Sequence, residues 1–171
     1  MRKAAIAFLL LIVGAACVTA QRPADNDFSH LKVHDALGLK LRLPGAFKRF
    51  EEAPAVAFRP DPPTRTSPGV LVLRYTGRTP TQILDEAFIK VRDKMGGEPL
   101  PVRGVVGGRE VMGIHAELFT HLIWIYAIPA GGAVYLLQIA APVTWNDETV
   151  LAFHDLVCRG VTLPPEPAPA H

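Results

Sequence analysis

The stretch that decides the fold is His121–Ala140, HLIWIYAIPAGGAVYLLQIA. It predicts two β-strands, Leu122–Ile128 and Ala133–Ala140, joined by the breaker run Pro129–Gly132. Both predicted strands are apolar on both of their faces, which is typical of central strands covered on both sides. The hairpin is therefore expected at the centre of a sheet.

Two further strand-like segments precede this hairpin, at Leu100–Val106 and Arg109–Leu118. Gly107-Gly108 lies between them and predicts a tight turn, because glycine readily adopts positive φ. Phe119-Thr120 then turns the chain into the central hairpin. The strands from residue 100 to residue 140 are therefore expected to run antiparallel.

Two helices and several shorter strands complete the domain. A capping box at Thr79–Gln82 begins the first helix, which continues with an apolar stripe at helical spacing. A second helix is expected to follow a capping box at Thr144 and Asp147 and to end at Gly160. The elements predict a single α+β domain, an antiparallel sheet flanked by two main helices in an α/β/α sandwich. The earlier strands are expected within His30–Pro44, within Phe50–Arg59 and at Val70–Tyr75. A turn is expected at Asp35–Gly38, and Pro60–Pro68 is expected to be a loop.

The first twenty residues resemble a secretory signal, with Arg2-Lys3 ahead of a short apolar run. Two processing routes stay open. In the first, Val18–Ala20 satisfies the small-x-small rule for cleavage before Gln21. In the second, Cys17 follows small residues, as in the signal of a bacterial lipoprotein, and becomes the lipidated first residue. We expect an exported protein, periplasmic or secreted in the first case and membrane-anchored in the second.

The rest of the chain divides by composition. Residues 21–29 are polar and predict a flexible tether, residues 30–163 form the α+β domain, and residues 164–171 are a Pro-rich, disordered tail. Loss of Arg2 and Lys3 from 18 basic residues leaves 16 against 16 acidic ones. A chain without net positive charge lacks the electrostatic footprint of a nucleic-acid-binding protein.

The order of elements resembles the PsbP-like fold, which includes an extrinsic photosystem II subunit, a Ran-binding import factor and exported bacterial proteins of undefined role. Locally, Leu37–Phe47, LGLKLRLPGAF, is similar to the glycine, strand, proline, glycine and aromatic opening of that family, with Phe47 where Trp is commoner. Gly107-Gly108-Arg109 is similar to the family's hairpin before a long strand. The resemblance covers about residues 37–163. It implies an antiparallel sheet between helices and a binding or accessory role, and it supplies no catalytic residue.

One sheet face gathers the residues best suited to binding. His115 and Glu117 alternate along one strand and therefore share a face, with His115 opposite Trp124 if Phe119-Thr120 is the turn. Tyr126 and Tyr135 are expected on the same side. These five residues predict a platform for a ligand or partner. In the alternative reading, a helix covers this face, and His115 and the tyrosine hydroxyls form hydrogen bonds at its rim.

A metal-binding module is a further alternative, at His30 and His34. Their i, i+4 spacing suits a metal ion on a helix, but the segment is expected to be extended and offers no third ligand close by. Asp25, Asp27 and Asp35 are weaker additional candidates.

The second helix brings His154 and Cys158 onto one face at i, i+4 spacing, whereas His154 and Asp155 point apart. A thiol–imidazole pair is thus available, although nothing in the sequence marks it as activated. Cys158 is expected to be a buried, unreactive thiol, with an intermolecular disulfide as the alternative. Gly104–Gly108 precedes a strand and not a helix, so it does not predict a phosphate site.

The sequence contains no phosphate loop, dinucleotide fingerprint, nucleophile elbow or zinc-protease motif. It therefore favours an exported, non-enzymatic accessory protein of the bacterial envelope. We expect it to bind an envelope protein, a peptide or a small apolar ligand through a sheet face or the 60–68 loop, without cofactor or nucleic acid, and to meet the membrane only through an anchor at Cys17. The alternative enzyme is a small hydrolase that uses His115 and Glu117.

Overall fold

The structure is a computed structural model that describes residue 28 and residues 30–165. The predicted signal segment with Cys17, most of the predicted tether and residues 166–171 of the tail lie outside the described residues. The helices are α1 (Pro80–Met95) and α2 (Asp147–Gly160). The strands are β1 (Leu31–Ala36), β2 (Leu39–Pro44), β3 (Phe47–Glu52), β4 (Ala55–Pro60), β5 (Gly69–Tyr75), β6 (Leu100–Val106), β7 (Arg109–Glu117), β8 (His121–Ala130), β9 (Ala133–Pro142) and β10 (Val161–Thr162).

The predicted central hairpin, β8 and β9, lies inside a seven-stranded antiparallel sheet of order β3-β4-β5-β9-β8-β7-β6. The predicted turn at Phe119-Thr120 sets the register, because His115 pairs with Trp124 and Glu117 with Leu122. The hairpin turn is shorter than predicted. Pro129 and Ala130 continue the strand, and only Gly131-Gly132, both at positive φ, form the turn.

The segment Phe50–Arg59 differs from the prediction of one short strand. It contains parts of two strands, β3 and β4, which pair with each other around the turn at Ala53-Pro54. Proline has no N–H for a strand ladder and its fixed φ suits turn positions, so it is compatible with the reversal of the chain there. The charged residues of β3 obscured the strand in the sequence, but β3 is the sheet edge, where charged side chains are favoured.

A small second sheet of order β1-β2-β10 was not predicted as a separate sheet. The predicted turn between β1 and β2 is present, and the alternating leucines of β2 (Leu39, Leu41 and Leu43) are fully buried. The two-residue strand β10 directly follows α2 and pairs with β2. This pairing brings the end of α2 against the small sheet.

The predicted capping box is present at α1 but not at α2. At α1 the Thr79 hydroxyl accepts from the Gln82 backbone N–H at 3.3 Å, and the Gln82 side chain accepts from the Thr79 N–H at 3.0 Å. The predicted box at Thr144 and Asp147 is wrong. Asn146 caps α2 and accepts from the Thr149 N–H at 2.8 Å, because a turn from Pro142 to Trp145 delays the start of the helix.

The domain therefore has three layers around two cores. The first core lies under α1 and contains the aliphatic side of the hairpin. The second core lies under α2 and the small sheet and contains most of the aromatic residues. Among the described residues, no helix is long and apolar enough to cross a membrane. The aliphatic residues of the hairpin that share the first core are Ile123, Ile125, Ala127, Val134, Leu136 and Ala140.

Candidate functional site

The candidate site lies where β7 and β8 pass beneath α2. The Trp124 indole lies between two imidazoles, because its ring centroid is 4.8 Å from that of His115 and 4.8 Å from that of His154. His115 stacks on Trp124 at an interplanar angle of 29°, and His154 is tilted at 47°. We name this group, together with Tyr126 and Cys158, the histidine–aromatic cluster.

Tyr126 connects the sheet to the helix within this cluster. Its hydroxyl lies 2.9 Å from Nε2 of His154 and donates to that nitrogen when the imidazole is neutral and Nε2 carries no proton. Two glycines make room for the tyrosine ring. A Cβ built on Gly113 would lie 2.6 Å from the ring, and one built on Gly104 would lie 2.8 Å from it. The two glycines therefore form a channel in β6 and β7 that the ring fills.

His154 also lies beside Cys158, with Nε2 3.6 Å from Sγ. Burial raises the pKa of the Cys158 thiol to about 12, and Asp155 adds to the rise. Burial also raises the pKa of Tyr126 to about 12. The pKa of His154 is lowered by burial and by the charge of His115, against an opposing effect of Asp155. The thiol, the phenol and the imidazole are therefore all neutral at pH 7, and no thiolate–imidazolium pair forms.

His115 is different because one of its nitrogens lacks a partner. Its Nε2 is shielded from solvent, and the structure gives this atom no hydrogen bond. Burial lowers the pKa of His115, and the Glu117 carboxylate opposes that shift more weakly. Buried polar atoms without a partner are uncommon, and this one singles out His115 as a candidate for a ligand contact.

The structure brings together three of the five predicted residues. His115, Trp124 and Tyr126 belong to the cluster, and Glu117 is exposed two residues along β7 from His115. Tyr135 shares their face but lies opposite Ile128, four residues and about 13 Å along the strand from Trp124. Its hydroxyl donates to the Leu37 carbonyl at 3.2 Å, so it stabilises the turn between β1 and β2.

Two exposed leucines flank the cluster. Leu100 of β6 pairs directly with His115, shares its face and is 57% exposed. Leu151 precedes His154 by three residues on α2, which places it on the same side of the helix, and it is 61% exposed. The cluster is thus bordered by apolar side chains that the domain itself does not cover.

The alternative metal site is spread over an extended segment. His34 packs against Phe58, with ring centroids 5.2 Å apart, and His30 lies outside the strand. Burial is the main cause that lowers the pKa of His34. In residues 28 and 30–165, no group of three or more His, Cys, Asp or Glu side chains is arranged to hold a metal ion. Asp25 and Asp27 lie outside the described residues.

Sequence reasoning missed the role of His154 in this site, although it placed that residue on the inner face of α2. The missing information is the docking position of α2, which brings residue 154 against residues 124 and 126. The glycines gave a usable signal. Gly104 and Gly113 interrupt apolar strands, and such interruptions often mark close approach of another group.

No protein-family model matches the chain, and no curated protein sequence matches it. Solved structures do. The solution structure of cyanobacterial PsbP from Synechocystis matches with a TM-score of 0.57 at 11% identity, covering 87% of this chain and 98% of that protein. The chain has a PsbP-like fold. The predicted α+β class and resemblance are thus confirmed.

Two other solved structures match at lower similarity. LpqN of Mycobacterium tuberculosis, described as involved in cell envelope biogenesis, has a TM-score of 0.49 at 16% identity over 74% of this chain and 83% of that protein. A Pseudomonas aeruginosa protein of unknown function has a TM-score of 0.49 at 12% identity over 82% of this chain and the whole of that protein.

Proposed function

We propose that this chain is an exported, non-enzymatic accessory protein that binds a segment of an envelope protein over the histidine–aromatic cluster. The observation that carries the proposal is the border of the cluster. Leu100 pairs with His115, whose buried Nε2 has no partner, and Leu151 lies one helical turn before His154; both leucines are exposed. Exposed apolar side chains beside a partly exposed aromatic group suit recognition of a peptide segment.

The protonation states of the cluster favour binding over catalysis. A nucleophilic cysteine needs a lowered thiol pKa, whereas burial raises the pKa of Cys158 to about 12. His154 donates to or accepts from two neutral groups, Tyr126 and Cys158, and its own pKa is lowered. The cluster is a set of neutral groups packed between the sheet and α2, and it contains no activated nucleophile with a base.

The 60–68 loop is the less favoured surface. Its end is tied to the sheet, because the Ser67 carbonyl lies 2.9 Å from Nε2 of His121. The other nitrogen of His121 lies 2.8 Å from the Thr120 hydroxyl, so both nitrogens of this imidazole have partners. This loop therefore offers no unpaired buried group comparable with Nε2 of His115.

Site-specific photo-crosslinking in the native host tests the proposal. A photoreactive phenylalanine derivative replaces Leu100 in one strain and Leu151 in a second. Met112, which is 57% exposed on the opposite face of the sheet, is the matched control position. Because all three side chains are exposed, the replacements leave the packing of the domain intact.

We expect the same discrete adduct from positions 100 and 151, little from position 112, and loss of the adduct when His115→Leu is added. Leucine preserves the apolar contact with Trp124 but removes the unpaired nitrogen. Equal adducts from all three positions, or none from positions 100 and 151, would contradict the proposal. An adduct that persists with His115→Leu would show that the leucines bind without the imidazole.

A further inference from the structure

One end of the main sheet carries an aromatic side chain that is almost fully exposed. Phe119, in the turn between β7 and β8, is 97% exposed. Next to it the Val143 N–H donates to the Thr120 carbonyl at 3.1 Å, which holds the loop after β9 against this turn. Val143 is itself 37% exposed. Two apolar side chains thus project from neighbouring loops at the same end.

Trp145 extends this end toward the start of the described chain. Its backbone N–H donates to the Pro142 carbonyl at 3.1 Å. Its ring is partly buried, with its centroid 5.6 Å from that of Phe153 and 6.3 Å from that of Phe28. Phe28 also stacks on Phe153 of α2 at 5.9 Å. The N-terminal segment therefore joins the domain at Trp145. We name Phe28, Phe119, Val143 and Trp145 the aromatic end.

The position of Phe28 constrains what this end can face. Eleven residues, 17–27, precede Phe28 if Cys17 is the lipidated first residue, and seven precede it if the chain starts at Gln21. Eleven residues reach at most about 40 Å when fully extended. With a lipid at Cys17, Phe28 therefore lies within about 40 Å of the bilayer.

We propose that the aromatic end inserts shallowly into the lipid bilayer, with Phe119 and Trp145 at the level of the headgroups. Tryptophan and phenylalanine suit this interface because an apolar ring enters the acyl boundary while polar groups stay in water. Such insertion supplies a second contact to a single lipid anchor, and stable membrane binding generally needs two.

The charges around this end bear on whether anionic lipid drives the insertion. Glu117, Asp147 and Glu148 are exposed beside it, and Arg65 is in the neighbouring loop. This set is acidic on balance, so attraction to anionic lipid is not the driving force. We therefore expect insertion into zwitterionic phosphatidylethanolamine–phosphatidylcholine vesicles that is insensitive to salt.

Fluorescence quenching by brominated lipid tests this proposal on the protein as isolated from its host, whichever N-terminus it has. The chain contains two tryptophans, Trp124 in the histidine–aromatic cluster and Trp145 at the aromatic end. Vesicles brominated near the headgroup end of the acyl chains should quench the wild-type protein. Trp145→Phe should remove most of the quenching, since the remaining Trp124 lies between the His115 and His154 rings beneath α2.

Phe119→Ser should lower the partition coefficient obtained from the quenching about tenfold, because one exposed phenylalanine supplies most of the inserted apolar surface. Met112→Ser, which alters another exposed apolar residue on the opposite face of the sheet, should leave the partition coefficient unchanged within a factor of two. Both positions are exposed, so neither variant removes packing from the core.

Three results would overturn the proposal. The first is absence of quenching in the wild-type protein, and the second is equal effects of Phe119→Ser and Met112→Ser. The third is quenching only in proteoliposomes that contain host membrane proteins, which would assign the aromatic end to a protein partner. None of these results affects the photo-crosslinking at positions 100 and 151, so the two proposals fail separately.

Discussion

The Tyr126 hydroxyl lies 2.9 Å from Nε2 of His154, and this hydrogen bond joins the central hairpin to α2 across 28 residues of sequence. The bond is partly buried beneath the helix, where an unsatisfied polar group is costly. It also positions the His154 ring, which is tilted against Trp124. The geometry of the candidate binding surface therefore depends on a contact between its two supporting elements.

Tyr126→Phe should lower the free energy of unfolding by about 1–2 kcal/mol, because the imidazole loses its stronger partner while the ring still fills its channel. Tyr75→Phe is the matched control, since Tyr75 is only half-buried and its ring contact with the Arg78 guanidinium is kept by phenylalanine. Urea unfolding followed by circular dichroism measures both. Equal stability of Tyr126→Phe and the wild type would show that the hydrogen bond contributes nothing.

Gly113→Ala should destabilise the domain by about 1–3 kcal/mol. Its Cβ would lie 2.6 Å from the Ile125 carbonyl oxygen and 2.6 Å from the Tyr126 ring, and the backbone oxygen cannot move aside cheaply. Gly69→Ala is the control. The nearest atom to its Cβ lies 3.8 Å away, so this change should be neutral or slightly stabilising. Thermal unfolding of both variants would decide the point, and similar melting temperatures would contradict the tight channel.

Cys158 should resist alkylation in the native protein. Because the pKa of its thiol is raised to about 12, roughly one molecule in 10⁴ carries the thiolate at pH 8. Mass spectrometry after iodoacetamide treatment should show no modification at Cys158 in buffer and complete modification in denaturant. Rapid labelling of the native protein would mean that the thiol is activated, and would revive the thiol–imidazole pair as a catalytic candidate.

Acidification should destabilise the domain through its buried histidines. Burial is the first cause that lowers the pKa of His34, His115, His121 and His154 below the ordinary value of 6.5. The unfolded chain therefore binds more protons than the native one below this value, so stability is full above pH 6.5 and is lost as the pH falls.

His154→Gln should reduce the slope of the unfolding free energy against pH between pH 6.5 and pH 5 by an amount equivalent to at most one bound proton. Glutamine can still accept a hydrogen bond from Tyr126, but it does not titrate. Urea unfolding at half-unit pH steps measures the slope for each protein. An unchanged slope would show that His154 is protonated equally in the folded and unfolded states.

The central part of the fold could be predicted from the sequence because its information is local. Turn residues at Phe119-Thr120 and Gly131-Gly132 fix the register of β7, β8 and β9. Register then divides the side chains between two faces, which is why Ile123 and Trp124 lie in different cores. The capping box of α1 is local in the same way.

The small sheet and the complete cluster could not be predicted, because they depend on how separate elements dock. β10 is two residues long and has no pattern of its own until α2 brings it beside β2. The position of His154 between Trp124 and Cys158 likewise depends on the docking of α2. The strand β3 was missed because charges on an edge strand resemble those of a loop.

The central claim is that a partner binds over Leu100, His115 and Leu151. The most direct test measures the affinity of this protein and its variants for the partner captured by photo-crosslinking. Isothermal titration calorimetry should show dissociation constants raised at least tenfold, equivalent to about 1.4 kcal/mol, by Leu100→Ser and by Leu151→Ser. Met112→Ser should change the dissociation constant by less than a factor of two. If all three variants bind like the wild type while remaining folded, the partner binds elsewhere and the account is wrong.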